Sequence, residues 1–131
     1  MILGFDPGRD KCGIAIINRQ RDILYHQVVD SEKAIAILKS LCQQYRPELI
    51  VMGDRTTAKA WKQELESKLT PSIPIVMVDE SHSTLEARER YWEMYPAKGL
   101  IRLIPQGMRI PPRPIDDIVA ILLIERYWQR F

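Results

Sequence analysis

No apolar run in this chain approaches the ~20 residues needed to span a bilayer. The N-terminus also has no basic stretch leading into an apolar segment and a cleavage site. The expectation is a cytoplasmic protein with no membrane association. Cysteine is scarce: Cys12 and Cys42 each sit inside an apolar pattern, without CxxC spacing and without a neighbouring histidine. That excludes a structural zinc site and predicts reduced core thiols rather than a disulfide. A charge excess is missing too. Nineteen Lys and Arg against 17 Asp and Glu leave a net +2, which a mixed solvated surface explains as readily as a nucleic-acid-binding one. With no repeat, low-complexity tract or linker, residues 1–131 are expected to form a single domain.

What is present begins with an apolar run that stops at an acid and a turn, Ile2-Leu3-Gly4-Phe5-Asp6-Pro7-Gly8, followed at once by Cys12 to Ile17. Two strands joined by a tight polar turn place Asp6 and the turn's N–H groups at the sheet edge, where a metal or phosphate can sit. Asp-Pro-Gly is also simply a good turn. A third strand is predicted over Asp22 to Asp30. Ser31 is read as the cap of a helix with Ala34, Ile35, Leu38, Leu41, Cys42 and Tyr45 on one stripe, ended by Pro47. Leu49 to Met52 is a buried strand ending at Gly53, and a helix follows from about Thr57 to Leu69. Ile73 to Val78 is the next strand. Ser83 and Glu86 form an expected capping box for a helix to about Tyr95, and a last helix runs from about Ile115 to Trp128.

Three strands, then helices alternating with strands, predict an α/β fold: a mixed five-stranded sheet of an antiparallel meander plus two parallel strands, flanked by helices. Ligands collect at the C-terminal ends of parallel strands, and the acids fall there. Asp6, Asp54 and Glu80 end strands, while Asp116 and Asp117 open the last helix. Converging carboxylates repel unless a cation neutralises them, and an all-oxygen set selects Mg²⁺ or Mn²⁺. Each acid also has a structural reading, as an N-cap, a first-turn residue or a turn acceptor. For Asp54 these alternatives are an extra metal ligand or a helix-start acid.

Phosphate contacts have candidates as well. Arg9 and Lys11 flank the first turn, and His82 follows Glu80, where it either meets the scissile phosphate or is plain polar surface. Arg109 and Arg113 lie in a proline-stiffened basic loop suited to flanking backbone.

Four motifs in order resemble the YqgF/RuvX family of resolvase-like nucleases, which have a ribonuclease H-like fold. Asp6, Gly8, Gly13 and Ala15 match its opening Asp-x-Gly hairpin, and Met52-Gly53 its middle strand end. Asp79, Glu80, Ser83, Thr84 and Ala87 match its Asp-Glu-Arg-x-Ser/Thr-Thr-x-x-Ala segment. Asp116, Ala120 and Ile121 to Ile124 match its C-terminal helix. The resemblance implies a metal-dependent endonuclease with Asp6, Glu80 and Asp116 as catalytic metal ligands; Asp117, next in the chain, is read as an outer or alternative ligand. It implies structured RNA, such as a 16S rRNA precursor, or branched DNA as substrate, and a monomer or homodimer. The chain departs from the pattern in three places: Ser81 stands where Arg is usual, Asp54-Arg55 replaces the usual continuation after Gly53, and the glycine-bearing loop beyond it is missing. These departures keep open a non-catalytic nucleic-acid-binding or ribosome-assembly module on the same fold. Asp-x-Gly hairpins also cradle phosphates in actin-like ATPases and sugar kinases, but those need two lobes.

Overall fold

The computed structural model describes residues 1–55 and 57–130. Strands β1 (Ile2–Asp6), β2 (Lys11–Ile17) and β3 (Ile23–Asp30) form an antiparallel meander. A short 3₁₀ turn (Ser31–Lys33) leads into α1 (Ala34–Tyr45), followed by β4 (Leu49–Gly53), α2 (Ala58–Lys68), β5 (Ile75–Val78) and α3 (Ser83–Met94). Two further 3₁₀ turns, Gly99–Leu103 and Gln106–Met108, precede α4 (Asp116–Arg130). The sheet order is β3-β2-β1-β4-β5, with β1, β4 and β5 parallel. This is the mixed five-stranded sheet expected from the order of elements.

Strand alternation divides the core between two faces. Leu3, Phe5, Ile14, Ile16, Ile50 and Met52 point to one side, where Leu38 and Leu41 of α1 and Ala58 and Leu65 of α2 cover them. Ala15, Ile17, Val51 and Val78 point to the other. There α4 contributes Ile118, Ala120, Ile121 and Leu123, and α3 adds Ala87, Tyr91 and Trp92. Helix α4 is buried almost all round from Asp117 to Ile124, because it lies across β1 and β2 while α3 packs on its outer side.

Glycine makes that crossing close. A Cβ on Gly4 would overlap the carbonyl of Ala120, and one on Gly13 would overlap the carbonyl of Asp116 and sit 2.7 Å from the amide of Asp117. Backbone thus packs directly on backbone, bringing the start of α4 down onto the end of β1.

Two expected caps are corrected. Ser31 does not cap α1: its hydroxyl donates to the Gly8 carbonyl at 2.9 Å and lies 3.3 Å from Cys12 Sγ, tying the first hairpin turn to the end of β3. The Ser83–Glu86 box does not form either. His82, at φ 61°, occupies the N-cap position without a side-chain bond, Ser83 Oγ is buried unpartnered, and Glu86 pairs with Arg126 at 3.1 Å. In both places a long-range partner outcompetes the local motif. Strand β5 begins at Ile75, after Pro74, whose missing N–H cannot serve the ladder.

Gly13→Ala is expected to destabilise the fold by about 3 kcal/mol, since main-chain atoms cannot move aside as a flexible side chain can. Urea unfolding measures this against Gly107→Ala. Nothing lies within 4 Å of a Cβ at Gly107, so that midpoint should not move.

Candidate functional site

Asp6 ends β1 opposite Gly13 of β2, and α4 begins with Asp116 directly above Gly13. One strand further along, β4 ends in Gly53, and the carboxyl group of Glu80 occupies the space where a Cβ on Gly53 would be. The bare strand ends at Gly13 and Gly53 are therefore what let the acids of α4 and of the β5–α3 turn close on Asp6. Asp6 and Glu80 are each 4% exposed. Asp6 Oδ1 and Glu80 Oε1 have no hydrogen bond among the described residues, and Glu80 Oε2 meets only the Arg55 guanidinium.

Burial of this kind favours the neutral acid. Asp6 is pushed up to about 9, first by desolvation, then by the Glu80 carboxyl at bonding range and by the charges of Glu80 and Asp116, with Arg55 pulling the other way. Glu80 and Asp116 are also raised, chiefly by burial. As ionised groups Asp6 and Glu80 have nothing to donate to each other, so their proximity is costly unless a proton or a cation intervenes. Arg55 forms an ion pair with Glu80, but its side chain is 54% exposed and its charge is correspondingly screened. Among the described residues, no three Asp, Glu, His or Cys side chains already form a metal cage. The acids are gathered and under-neutralised, not preset around an ion. Buried carboxylate oxygens with only an exposed arginine to neutralise them are the donor set a hard divalent cation takes, so the residues fit Mg²⁺ or Mn²⁺.

The other expected site residues divide. Asp117 is buried with both oxygens engaged: Arg113 donates to Oδ1 at 3.0 Å and to Oδ2 at 3.4 Å, and His26 Nδ1 lies 2.7 Å from Oδ2. Asp54 is exposed, and its Oδ1 accepts the Glu80 amide at 3.3 Å, holding the turn that carries Glu80. Lys11 is exposed and paired with Asp30, while Arg9 is exposed at the hairpin tip. His82 is exposed in left-handed backbone, beside Glu80 in the chain. Arg113 also donates to the Pro114 carbonyl at 2.6 Å and lies over the rings of Tyr91 and Tyr95. Arg109 donates to the Ile104 and Arg102 carbonyls at 2.8 and 3.2 Å. Both arginines are braced by their own loop.

Two residues that sequence reasoning passed over prove structurally important. His26 reads as one more member of an alternating strand. Its register opposite Ala15 puts it on the α4 face, where it meets Asp117. Arg126, on the last helix, donates to the carbonyls of Asp79 and Ser81 at 2.6 and 2.7 Å and so clamps the turn bearing Glu80. Nothing local in the sequence signals a contact spanning more than forty residues.

Comparison with known proteins agrees with this architecture. A Coxiella burnetii protein named "Putative pre-16S rRNA nuclease" is 25% identical over 150 residues, covering 97% of this chain and 91% of its own length. A protein of the same name from Buchnera aphidicola is 25% identical over 141 residues, with 98% and 96% covered. Among solved structures, Thermus thermophilus RuvC in complex with a Holliday junction substrate superposes with a TM-score of 0.59 at 18% identity, covering 98% of this chain and 94% of that one. The fowlpox virus Holliday junction resolvase gives 0.55 at 13% identity, with 98% and 97% covered. At those identities the structural likeness establishes the resolvase-type, ribonuclease H-like fold alone. The family model described as RuvX, Holliday junction resolvase, matches residues 1–129, so the chain belongs to the RuvX family of resolvase-like nucleases.

Proposed function

We propose that this protein is a divalent-metal-dependent endonuclease acting on structured nucleic acid, with a 16S rRNA precursor as the first substrate to test and branched DNA as the second. The observation that carries the reading is the cluster of under-neutralised carboxylates at the end of β1, buried Asp6 and Glu80, each with an oxygen that meets no donor, and half-buried Asp116 beside them. Names of full-length relatives support the RNA substrate, and a structural neighbour holding a Holliday junction supports the DNA one.

In this reading Asp6, Glu80 and Asp116 hold Mg²⁺ or Mn²⁺. Bound there, the ion supplies a positive charge that activates water and stabilises the departing oxygen. The chain's own groups orient the acids: Arg126 and Asp54 fix the turn carrying Glu80, and the His26–Asp117–Arg113 network fixes the first turn of α4 beside Asp116. Asp117 is a positioning residue rather than a ligand, because both its oxygens are already taken. Arg55 must yield its contact with Glu80 when the ion enters. That same contact is what favours the second reading, a nucleic-acid-binding module in which Arg55 stays on Glu80 and no cutting occurs.

Asp6→Asn is expected to fold normally and to lower cleavage at least about a thousandfold, in line with loss of a metal-held reaction centre. Cleavage of a 16S precursor RNA and of a four-way DNA junction, with Mg²⁺ and with Mn²⁺, tests this. Binding without any cut by the wild type selects the module instead.

Metal-free stability should fall as pH rises. Asp6 titrates at about 9 in the folded state, above its ordinary 3.8. Its proton therefore favours the folded form fully below pH 3.8, and this advantage is lost progressively as pH rises towards about 9. Mg²⁺ replaces that proton, so the gain in melting temperature on adding it should be larger at pH 8.5 than at pH 6. Asp6→Asn should flatten the metal-free pH profile.

Asp117→Asn should cost about 2 kcal/mol, because it takes the buried anion away from the half-exposed Arg113 and His26 that hydrogen-bond to it. It should keep Mn²⁺ affinity within twofold, whereas Asp116→Asn loses most of it. Calorimetric titration of the three proteins separates ligand from brace.

A further inference from the structure

Between α3 and α4 the chain turns its apolar side chains outward. Leu100, Leu103, Met108 and Ile110 are 72 to 82% exposed, and Ile101 and Ile104 are also exposed. Six large apolar residues within eleven positions of one surface segment exceed the scattered singles of an ordinary solvated face. The segment is nonetheless built. It contains the two 3₁₀ turns, Gly99–Leu103 and Gln106–Met108, and Arg109 staples it from within through the carbonyls of Ile104 and Arg102 while lying 5.8 Å from the Trp92 ring of α3. The backbone is held so that the apolar groups face away from the protein.

Charge chooses the occupant. From Pro96 to Ile115 the chain carries Lys98, Arg102, Arg109 and Arg113 and not one acid. Arg102 and Arg109 bond main-chain carbonyls, which satisfies their N–H groups without cancelling their charge. A second copy docking here would set Lys98, Arg102 and Arg109 against their own counterparts, Arg113 being already paired with Asp117. A polyanion would be attracted, and its phosphates are matched by the cations interleaved with the apolar groups. A continuous duplex offers those apolar groups little, since its base faces are stacked away. An interrupted one exposes base faces at a bulge, branch or frayed end, and apolar side chains wedge between such steps. Five residues separate Ile110 from Asp116, the first residue of α4, so a short stretch of chain tethers the segment to the acids.

We propose that the 97–110 segment is an apolar wedge flanked by cations that recognises unstacked bases next to the cleavage site, so that the enzyme selects interrupted rather than continuous duplexes. This rests on the nuclease reading above and specifies how its substrate is recognised.

The test measures fluorescence anisotropy in EDTA, where cutting is blocked, with the wild type and the double variant Leu103→Ser/Met108→Ser. The probes are an RNA duplex with a three-nucleotide bulge, a four-way DNA junction, and continuous duplexes of equal length. The wild type should bind the interrupted probes at least tenfold tighter than continuous ones. The variant should lose that preference while binding continuous duplex within twofold of wild type. Both exchanged side chains are exposed, so its melting temperature should be unchanged. An unaltered preference in the variant, or none in the wild type, overturns the wedge. So does a wild-type dimer that the variant converts to a monomer in light scattering, because the face would then be self-associating. A wild type that cuts without any such preference defeats the wedge and spares the nuclease; one that prefers interrupted probes but never cuts does the reverse.

Discussion

Everything at the candidate site depends on how closely α4 can lie on the sheet. The carbonyls of Asp116 and Ala120 occupy the volume that a Cβ at Gly13 or Gly4 would need. That approach lets a helix starting with an acid reach down to the strand end carrying Asp6. At Gly53 the same device admits the Glu80 carboxyl. Three glycines in three adjacent strands therefore do one job: they remove side chains from the α4 face where acidic groups and backbone must meet. The apolar length of α4, buried on nearly all sides, supplies the adhesion that holds acids together against their mutual repulsion.

Much of this was legible because it is written in local pattern. A carboxylate terminating an apolar strand, as at Asp6, and an acid opening an apolar helix, as at Asp116, announce themselves by position, and strand-helix alternation orders the sheet. The two caps misread, at Ser31 and Ser83, share one physical cause. A hydroxyl near a helix start can bond the local amide, but Ser31 gains more from the Gly8 carbonyl of the neighbouring hairpin, and the partner expected for Ser83, Glu86, is drawn to Arg126. His26 and Asp117 were opaque for a related reason. Their contact spans 91 residues, and only the β2–β3 register, which puts His26 opposite Ala15, reveals that they share a face.

The family motif has an arginine where this chain has Ser81, and the structure shows what fills the gap. Ser81 closes a local turn, donating from both its amide and its hydroxyl to Asp79 Oδ1 at 2.9 and 2.7 Å. A guanidinium still reaches this turn, but from α4: Arg126 grips the Asp79 and Ser81 carbonyls. A second comes from the changed segment after Gly53, where Arg55 faces Glu80 directly. Of these, Arg126 is 19% exposed and serves as a fixed strut, whereas the half-exposed Arg55 has freedom to leave. The two departures from the family pattern thus split a structural role from an electrostatic one.

The electrostatics of the site also constrain how substrate arrives. Three clustered acids repel a phosphate backbone, so the attraction must come from elsewhere or be created at the site. In the nuclease reading Lys98, Arg102 and Arg109 would supply the first kind, and a divalent ion held by Asp6, Glu80 and Asp116 the second. A divalent ion there would cancel two of the three acid charges and give a phosphate oxygen a cation to meet, so ion and nucleic acid would raise each other's affinity, by linkage by the same factor. A proton on Asp6 removes one of those charges and offers the phosphate no cation. In the nuclease reading it would therefore compete with the ion without substituting for it in drawing the backbone in, so the buried cluster, relieved of part of its self-repulsion by the proton, would hold substrate only once that proton is exchanged for metal.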